Sequence, residues 1–437
     1  MNKNMVGVQG NLFPTHGEGT PWDWSSDRRV ERYYEDGASL VRVIRTRRGE
    51  DVASSVPNYS TSATGDPAAE FDQAWLRSCT RFESVGLRGL VRVADLFSGA
   101  GGMSIGLDEA ARALGMRIEH VFAADIDSQA LSTYTRNFSP SITESRPIQE
   151  FVDGHLGTAL SFTERALRRA VGGVDLVVGG PPCQGHSDLN NHTRREDPKN
   201  ALYERMARVA EVLEPTHLVI ENVPGVQHDR SNVFHRTLAA LDRLGYNVDS
   251  AKLPAEGLGV PQRRRRAVIV ASRARWVGDG FLDSVMSQYA QPHRAVGWAI
   301  GDLLDIRSDD PIDVITSVSA ESQDRIDWLF DNGEYDLPDR LRPECHRTKK
   351  HSYKSVYGRL YWDRPAWTIT TGFQVMGQGR FLHPLRRRVI TSHEAARLQF
   401  FPDFFDFGRT SRKGYAKMIG NAVPPKLAYV IGLELLR

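Results

Sequence analysis

GGPPCQGHS places one cysteine, Cys183, directly after the apolar run VDLVV, where two prolines stiffen the backbone and Gln184-Gly185 turn it. A cysteine serving only as a small core residue would sit inside the apolar run, not just beyond it. Downstream, THLVIENV delivers Glu221 and Asn222 at the end of another apolar run. A thiol and a carboxyl group side by side suit one demanding reaction, methylation of cytosine at C5. That carbon is too weak a nucleophile to take a methyl group directly. A thiolate adding to C6 turns the ring into an enamine with a reactive C5. A carboxylic acid at N3 stabilises the charge that develops. An electrophilic methyl donor, a base for the C5 proton and departure of the thiol complete the cycle. His186 keeps a second reading open, because redox and protease cysteines work with a resolving cysteine or a paired histidine.

DLFSGAGGMSIGL adds a glycine loop between a strand and a helix. Glycines let a backbone approach a ligand closely, and a helix N-terminus offers unpaired N–H groups. The spacing, Gly99, Gly101 and Gly102 followed by Gly106, departs from the GxGxxG of dinucleotide folds. A plain structural turn is the bland reading of such a loop. Asp125 closes the next strand, where an acid accepts hydrogen bonds from ribose hydroxyls, with Asp127 as its competitor. Loop and acid together indicate an adenosine-containing cofactor.

The elements that must position these groups are short apolar strands: LVRVADLF, HVFAADI, GVDLVVGG, THLVIENV and RRAVIVAS. Helical stretches alternate with them, among them MSIGLDEAARALG, SQALSTYTRNF and ALYERMARVAEVLEP. This rhythm predicts an α/β fold with a mostly parallel sheet and helices on both faces. Strand C-terminal ends then share one edge, where ligands bind. Residues 89–274 form this catalytic and cofactor-binding unit. Residues 1–88 are an extension, with a strand expected at ASLVRVIRT (Ala38 to Thr46) and a linker over Ser54 to Glu70. Two readings of it compete, a disordered tail or a small element that docks on DNA or a partner; with Arg42, Arg45, Arg47 and Arg48 beside it, the VRVIR core, too apolar to stay solvated comfortably, favours the second. Residues 275–385 lose the rhythm and carry hairpin-like pieces such as RLYWDRPAWTITTGF, predicting a smaller, irregular, β-rich domain. Residues 386–437 are helical again and should pack back on the first unit.

The 437 residues are 40% hydrophobic and 25% charged, as in ordinary globular proteins. No run approaches the roughly 18 apolar residues of a membrane helix, and the N-terminus lacks the apolar core of a secretory signal. A cytoplasmic monomer is expected. Cys79, Cys183 and Cys345 contain no CxxC pair, which argues against a disulfide framework and offers no metal motif. Net charge is only +2, but Arg263 to Arg266 and Arg386 to Arg388, with Arg347, Lys349 and Lys350, concentrate positive charge in the C-terminal half. One such run is usually a solvated face. Several together favour a polyanionic partner.

From about Leu90 to Arg437 the chain resembles the DNA cytosine-C5 methyltransferases of bacterial modification, restriction or defence systems. DLFSGAGG, GGPPCQGHS, ENV, GVPQRRRRAVIV, RLQFFPD and GNAVPP occur in that family's order. The resemblance implies a Rossmann-like S-adenosylmethionine-dependent domain and target recognition by residues 275–385. Double-stranded DNA would be the partner, its cytosine flipped out of the stack, and restriction or defence proteins are possible associates. By position, Phe97, Ser98, Gly99 and Gly101 would line the methionine part of S-adenosylmethionine, Asp125 would hold the ribose and Ile126 would lie against adenine. Gly180, Pro182 and Leu202 would form the far wall, closed by Asn421 and Val423. Cys183 would be the nucleophile and Glu221 the N3 partner. The pattern QxRxR falls on Gln262, Arg264 and Arg266, and both arginines would position the flipped base or the nucleophile loop. Arg397 would scaffold the second domain. Two departures stand out: Ile126 replaces the usual aromatic, and no Asp lies near Pro147-Ile148-Gln149 to contact adenine, leaving Asp153 as a substitute. A tRNA methyltransferase, a silent DNA-binding relative and a nicotinamide-dependent oxidoreductase are the alternatives. Intact Cys183 and Glu221 oppose the second, and GGPPCQ is unexplained by the third. The sizeable recognition region and the extension favour DNA over tRNA.

Overall fold

The computed structural model describes residues 30–59, 65–84, 86–182, 201–228, 232–274, 276–306, 308–347 and 356–437. Three strands, β1 (Glu31–Asp36), β2 (Ser39–Arg45) and β3 (Asp51–Pro57), open the described chain as an antiparallel sheet. The strand expected at 38–46 is β2. The linker expected over 54–70 is instead bounded by structure: β3 takes its start, pairing Val56 with Leu40, and helix α1 (Pro67–Arg77) takes its end. Ser54 and Ser55 read as linker residues, yet both lie in β3 opposite Arg42 and Val41 of β2, because ladder pairing joins backbones whatever the side chains. Asp66 caps α1 by accepting the Ala69 N–H, and Pro67 suits its first turn.

The main sheet has seven strands, β4 (Leu90–Leu96), β5 (Arg117–Ala124), β6 (Thr143–Glu144), β7 (Leu176–Gly179), β8 (His217–Asn222), β9 (Asn247–Pro254) and β10 (Arg265–Ser272). Their order is β6-β5-β4-β7-β8-β10-β9, with β6 to β8 in that order parallel and β10 antiparallel to both neighbours. The strand β9, NVDSAKLP, escaped the sequence reading because a polar edge strand lacks an apolar run. Helices α2 (Gly102–Ala113), α3 (Ser128–Phe138), α4 (Phe162–Val171), α5 (Ala201–Leu213) and α6 (Val233–Arg243) connect the strands. One register row crosses the parallel part: Ala124, Leu96, Gly179 and Ile220 lie side by side. The residues one step beyond that row are Asp125, Phe97, Gly180 and Glu221. Four candidate site residues thus line up at one edge of the sheet, as the parallel topology requires.

Beyond β10 come α7 (Phe281–Gln288), α8 (Val296–Ile300), α9 (Ala320–Asp331), α10 (Glu344–Arg347), α11 (Ser392–Leu398), α12 (Arg412–Asn421) and α13 (Pro425–Leu436). The β-structure expected over 275–385 shrinks, among the described residues, to isolated bridges such as Gln262↔Ala366 and Arg359↔Leu382. RLYWDRPAWTITTGF forms no hairpin. Its backbone is used elsewhere: Ala366 N–H donates to the Pro261 carbonyl, and the Trp362 and Arg364 carbonyls accept from Gly297 and Val296. Pro365 also lacks the N–H a ladder needs.

Helix α13 returns along α2, so closely that a Cβ on Gly106 would stand 2.1 Å from the Pro425 carbonyl oxygen. Ion pairs, two of them buried, fasten the N-terminal sheet and α1 to this pair. Arg42 is 1% exposed and ion-pairs with Glu109 of α2 at 2.7 Å. Lys426 of α13 meets Asp72 of α1 at 2.7 Å, and Arg47 meets Glu434 at 2.9 Å. Arg45 is held by Asp51. Three arginines of the element read as docking on DNA or a partner thus pair with carboxylates of their own chain, Arg42 buried and Arg45 and Arg47 at the surface, and the extension packs on its own protein. No helix among the described residues is long and apolar enough to cross a membrane.

Candidate active site

The glycine loop leaves β4 with left-handed backbone at three alternate residues, Phe97 (φ 57°), Gly99 (φ 54°) and Gly101 (φ 99°). At Gly101 nothing larger fits, since a Cβ would lie 2.2 Å from the Phe138 ring. Asp125 ties this loop to β5: its Oδ2 accepts the Gly99 N–H and its Oδ1 the Asp127 N–H, both at 2.8 Å. Burial raises its pKa, opposed by those two donors. A carboxylate offers about four acceptor sites, so two remain for a ribose diol. The competitor, Asp127, is already engaged, capping α3 through the Gln129 and Ala130 N–H groups and pairing with Lys417 at 2.6 Å. Ile126 is 71% exposed beside Asp125, an apolar face at the edge of the site. Ser98 is buried with no hydrogen-bond partner for its Oγ among the described residues. These features fit an adenosyl ligand with polar groups at both ends.

Glu221, the last residue but one of β8, is buried and shares a small cavity with Met103, Val178, Val268 and Val423. Gly180 gives it room, for a Cβ there would stand 3.3 Å from Glu221 Oε2. Burial pushes the carboxyl's pKa up, while Arg266 and Arg264 pull it down. Arg266 Nε lies 2.5 Å from Glu221 Oε1, but that oxygen receives no well-directed hydrogen bond. The contact is an ion pair that leaves hydrogen-bonding capacity unspent. Asn222, the next residue, donates from Nδ2 to the Pro181 carbonyl at 3.1 Å. It thereby anchors the proline loop that leads to Cys183. Cys183 and His186 themselves lie outside the described residues. Pro182 is the last described residue before them, half-buried, and Leu202 packs against the core beneath.

Arg264 is engaged elsewhere than with the Glu221 carboxylate. It is buried and donates to the carbonyls of Ile369, Gly420 and Ala422 at 2.8, 3.1 and 2.8 Å. Its neighbour Gln262 donates to the Leu398 carbonyl and accepts the Ile369 N–H. These residues staple the segment around Ile369 to the strand that carries Arg266. Asn421 is exposed at the end of α12, and Val423 is buried with its carbonyl against Gly102. Arg397 joins Asp403 to Asp302 and the Ala299 carbonyl, fastening α11 to the region after α8. Asp153 is exposed and accepts from Ser161, at the start of α4. The basic runs separate sharply. Arg386, Arg387 and Arg388 are paired with Asp305, with Asp327 and Asp331, and with Glu394. Lys349 and Lys350 lie outside the described residues.

Sequence reasoning missed Asp95. It is fully buried at the end of β4, with its pKa raised to about 8 by burial. Ser104 Oγ, 2.7 Å from its Oδ2, continues a chain through Tyr134 and His120 to Asp108. Its position within DLFSGAGG was the available signal.

The model of the C-5 cytosine-specific DNA methylase family matches residues 91–437. The type II methyltransferase M1.BsuMI of Bacillus subtilis is 46% identical over 413 residues, which cover 94% of this chain and 96% of the relative. The type II methylase M.HgiDII of Herpetosiphon aurantiacus is 32% identical over 357 residues, covering 79% and 95%. An alignment of 413 residues cannot fit within 91–437, so the likeness to the Bacillus protein reaches into the N-terminal extension. Among solved structures, a DNA modification methyltransferase encoded within an E. coli prophage aligns with a TM-score of 0.55 at 26% identity, covering 79% of this chain and 98% of that one. The S. pombe Dnmt2 methyltransferase shares the fold, with a TM-score of 0.54 at 20% identity over 79% of this chain and 98% of that one.

Proposed function

The chain belongs to the C-5 cytosine-specific DNA methylase family and is a DNA cytosine-5-methyltransferase, and we propose that it works on a cytosine flipped out of duplex DNA, through a covalent bond between Cys183 and C6. The observation that carries this reading is the register row whose next residues are Asp125, Phe97, Gly180 and Glu221. It puts Asp125, the glycine loop and Glu221 along one edge, beside Gly180 at the start of the segment that leads to Cys183, and this supports reading Asp125 as the ribose acceptor and Glu221 as the proton donor.

Members of the family use S-adenosylmethionine, and the residues here suit it: Phe97, Ser98, Gly99 and Gly101 toward the methionine, Asp125 toward the ribose, Ile126 toward the adenine. Gly180, Pro182, Leu202, Asn421 and Val423 would complete the pocket. When bound, S-adenosylmethionine supplies the electrophilic methyl group that the activated C5 takes. The protein's own work is activation and reversal. The Cys183 thiolate forms a bond to C6, and the C5=C6 electron pair shifts into the ring. Glu221, whose burial favours its acid form, gives its proton to N3. Arg266 at 2.5 Å then steadies the carboxylate left behind. After methylation a base removes the C5 proton, the double bond re-forms and expels the thiolate, and N3 returns its proton. Asn222 holds the approach to Cys183, and Arg264 acts as a positioning residue through the carbonyls it binds. Residues 275–385 read the target, and the type II names of the relatives suggest a restriction–modification or defence setting in the cytoplasm.

Duplex DNA carrying 5-fluorocytosine tests the mechanism, because fluorine cannot leave as a proton. With S-adenosylmethionine present, a protein–DNA adduct that survives denaturation is expected, and Cys183→Ser should form none. Methylation of ordinary DNA without any adduct on the fluorinated duplex would overturn attack by Cys183.

A further inference from the structure

We propose that Arg263 and Arg364, lying over Trp367 and Tyr361, form a rigid clamp for the phosphate backbone of duplex DNA beside the target cytosine. The inference rests on the DNA-methylating function proposed above. Arg263 occupies the unmatched position between Gln262 and Arg264, both of which are buried. Its backbone is gripped on two sides: its N–H donates to the Ala366 carbonyl at 2.8 Å, and its carbonyl accepts from Thr368 Oγ1 at 2.7 Å. The side chain is exposed, with the guanidinium 5.3 Å from the Trp367 ring centre.

Trp367 belongs to a ladder of rings. It lies 5.9 Å from Tyr361, which stacks on Tyr335 at 4.5 Å and 16°. Arg364, also exposed, sits 4.5 Å over Tyr361. Arg380, buried, lies over both Tyr361 and Trp367 at 5.3 and 4.6 Å and is itself fixed by Asp336. The rings are half-buried, so their arrangement is set by the protein and not by solvent.

Charge separates these two arginines from the rest. No carboxylate among the described residues pairs with Arg263, and Arg364 has only the adjacent, exposed Asp363 at 3.9 Å. The run Arg386 to Arg388 is by contrast neutralised residue by residue. A guanidinium over a ring keeps its in-plane N–H groups available for a phosphate while losing little further side-chain entropy on binding. Arg263 is three residues from Arg266, the partner of Glu221, so their Cα atoms are within about 11 Å along the chain. That keeps Arg263 near the Glu221–Arg266 pair. Contacts of this kind hold the backbone without reading sequence.

The test measures binding of the full-length protein to target and non-target duplexes across salt concentration. Arg263→Gln and Arg364→Gln should each reduce the slope of log affinity against log salt by about one. Each should weaken low-salt binding several-fold and equally on both duplexes. Arg263→Lys should keep the slope and lose part of the affinity, and Arg387→Gln, a paired arginine, should change neither. Unaltered S-adenosylmethionine binding and thermal unfolding establish that the variants are folded, and Arg364→Gln, on the surface, serves if Arg263→Gln does not fold. A double variant with the wild-type slope would overturn the clamp, as would a loss confined to the target duplex. Wild-type protein that methylates no duplex would count instead against the function proposed above.

Discussion

Replacing Asp95 by asparagine should stabilise the protein, increasingly so as pH rises. Asp95 is fully buried, and its pKa is raised from 3.8 to about 8. A carboxyl whose folded-state pKa is raised contributes stability that is fully present below about 3.8 and is lost as pH climbs toward about 8. Through that window the unfolded chain releases the proton and the folded chain keeps it, so unfolding gains about 1.4 kcal/mol per pH unit. At pH 7 the accumulated loss is about 4 kcal/mol. Asparagine mimics the protonated acid: its oxygen can accept from Ser104 as Oδ2 does at 2.7 Å, and its amide takes the place of the unpartnered Oδ1. The variant carries no proton to release. Urea unfolding of both proteins at pH 5, 6, 7 and 8 should therefore give a stability gap that widens steadily with pH. Curves that stay parallel across this range would refute the assignment of a retained proton to Asp95.

Glu221→Gln should lower turnover by about 10²- to 10³-fold while leaving S-adenosylmethionine affinity near wild type. Because the Glu221 pKa is raised, the wild-type rate should fall as pH rises through that value, and the residual rate of the variant should not; kcat measured against pH checks both. Lys426→Met leaves Asp72 buried without its partner and should cost about 3 kcal/mol, read by chemical unfolding; an unchanged midpoint would mean the extension is not fastened there. Exchanging residues 275–385 for those of a relative should change the methylated sequence and keep the chemistry, checked by bisulfite sequencing. An unchanged target in a soluble, active chimera would move recognition elsewhere.

The parts of the site legible in the sequence share one property: each lies at the end of a short apolar run. Alternation of such runs with helices dictates a parallel sheet, and a parallel sheet brings their ends together, so Phe97, Asp125, Gly180 and Glu221 could be placed before any coordinates. Local patterns of this kind are set by backbone geometry and side-chain period, which act over a few residues. Asp125 and its competitor Asp127 differ in what else they hold: Asp127 caps α3 locally and pairs with Lys417 from far along the chain, a partner no local pattern reveals, while Asp125 keeps acceptor sites open.

Charge was the least legible feature, and for a physical reason. The value of an arginine depends on what distant segment meets it, and sequence spacing is silent on that. Arg42, read as a candidate for DNA, is buried against Glu109, 67 positions away. In Arg263 to Arg266, consecutive residues of one type divide among solvent, three backbone carbonyls and the Glu221 carboxylate. The sequence by itself determined which chemical groups stand at the ligand edge, because strand ends are a local property. Only the tertiary structure decided which charges are free to act there, because desolvation and pairing belong to contacts between segments far apart in the chain.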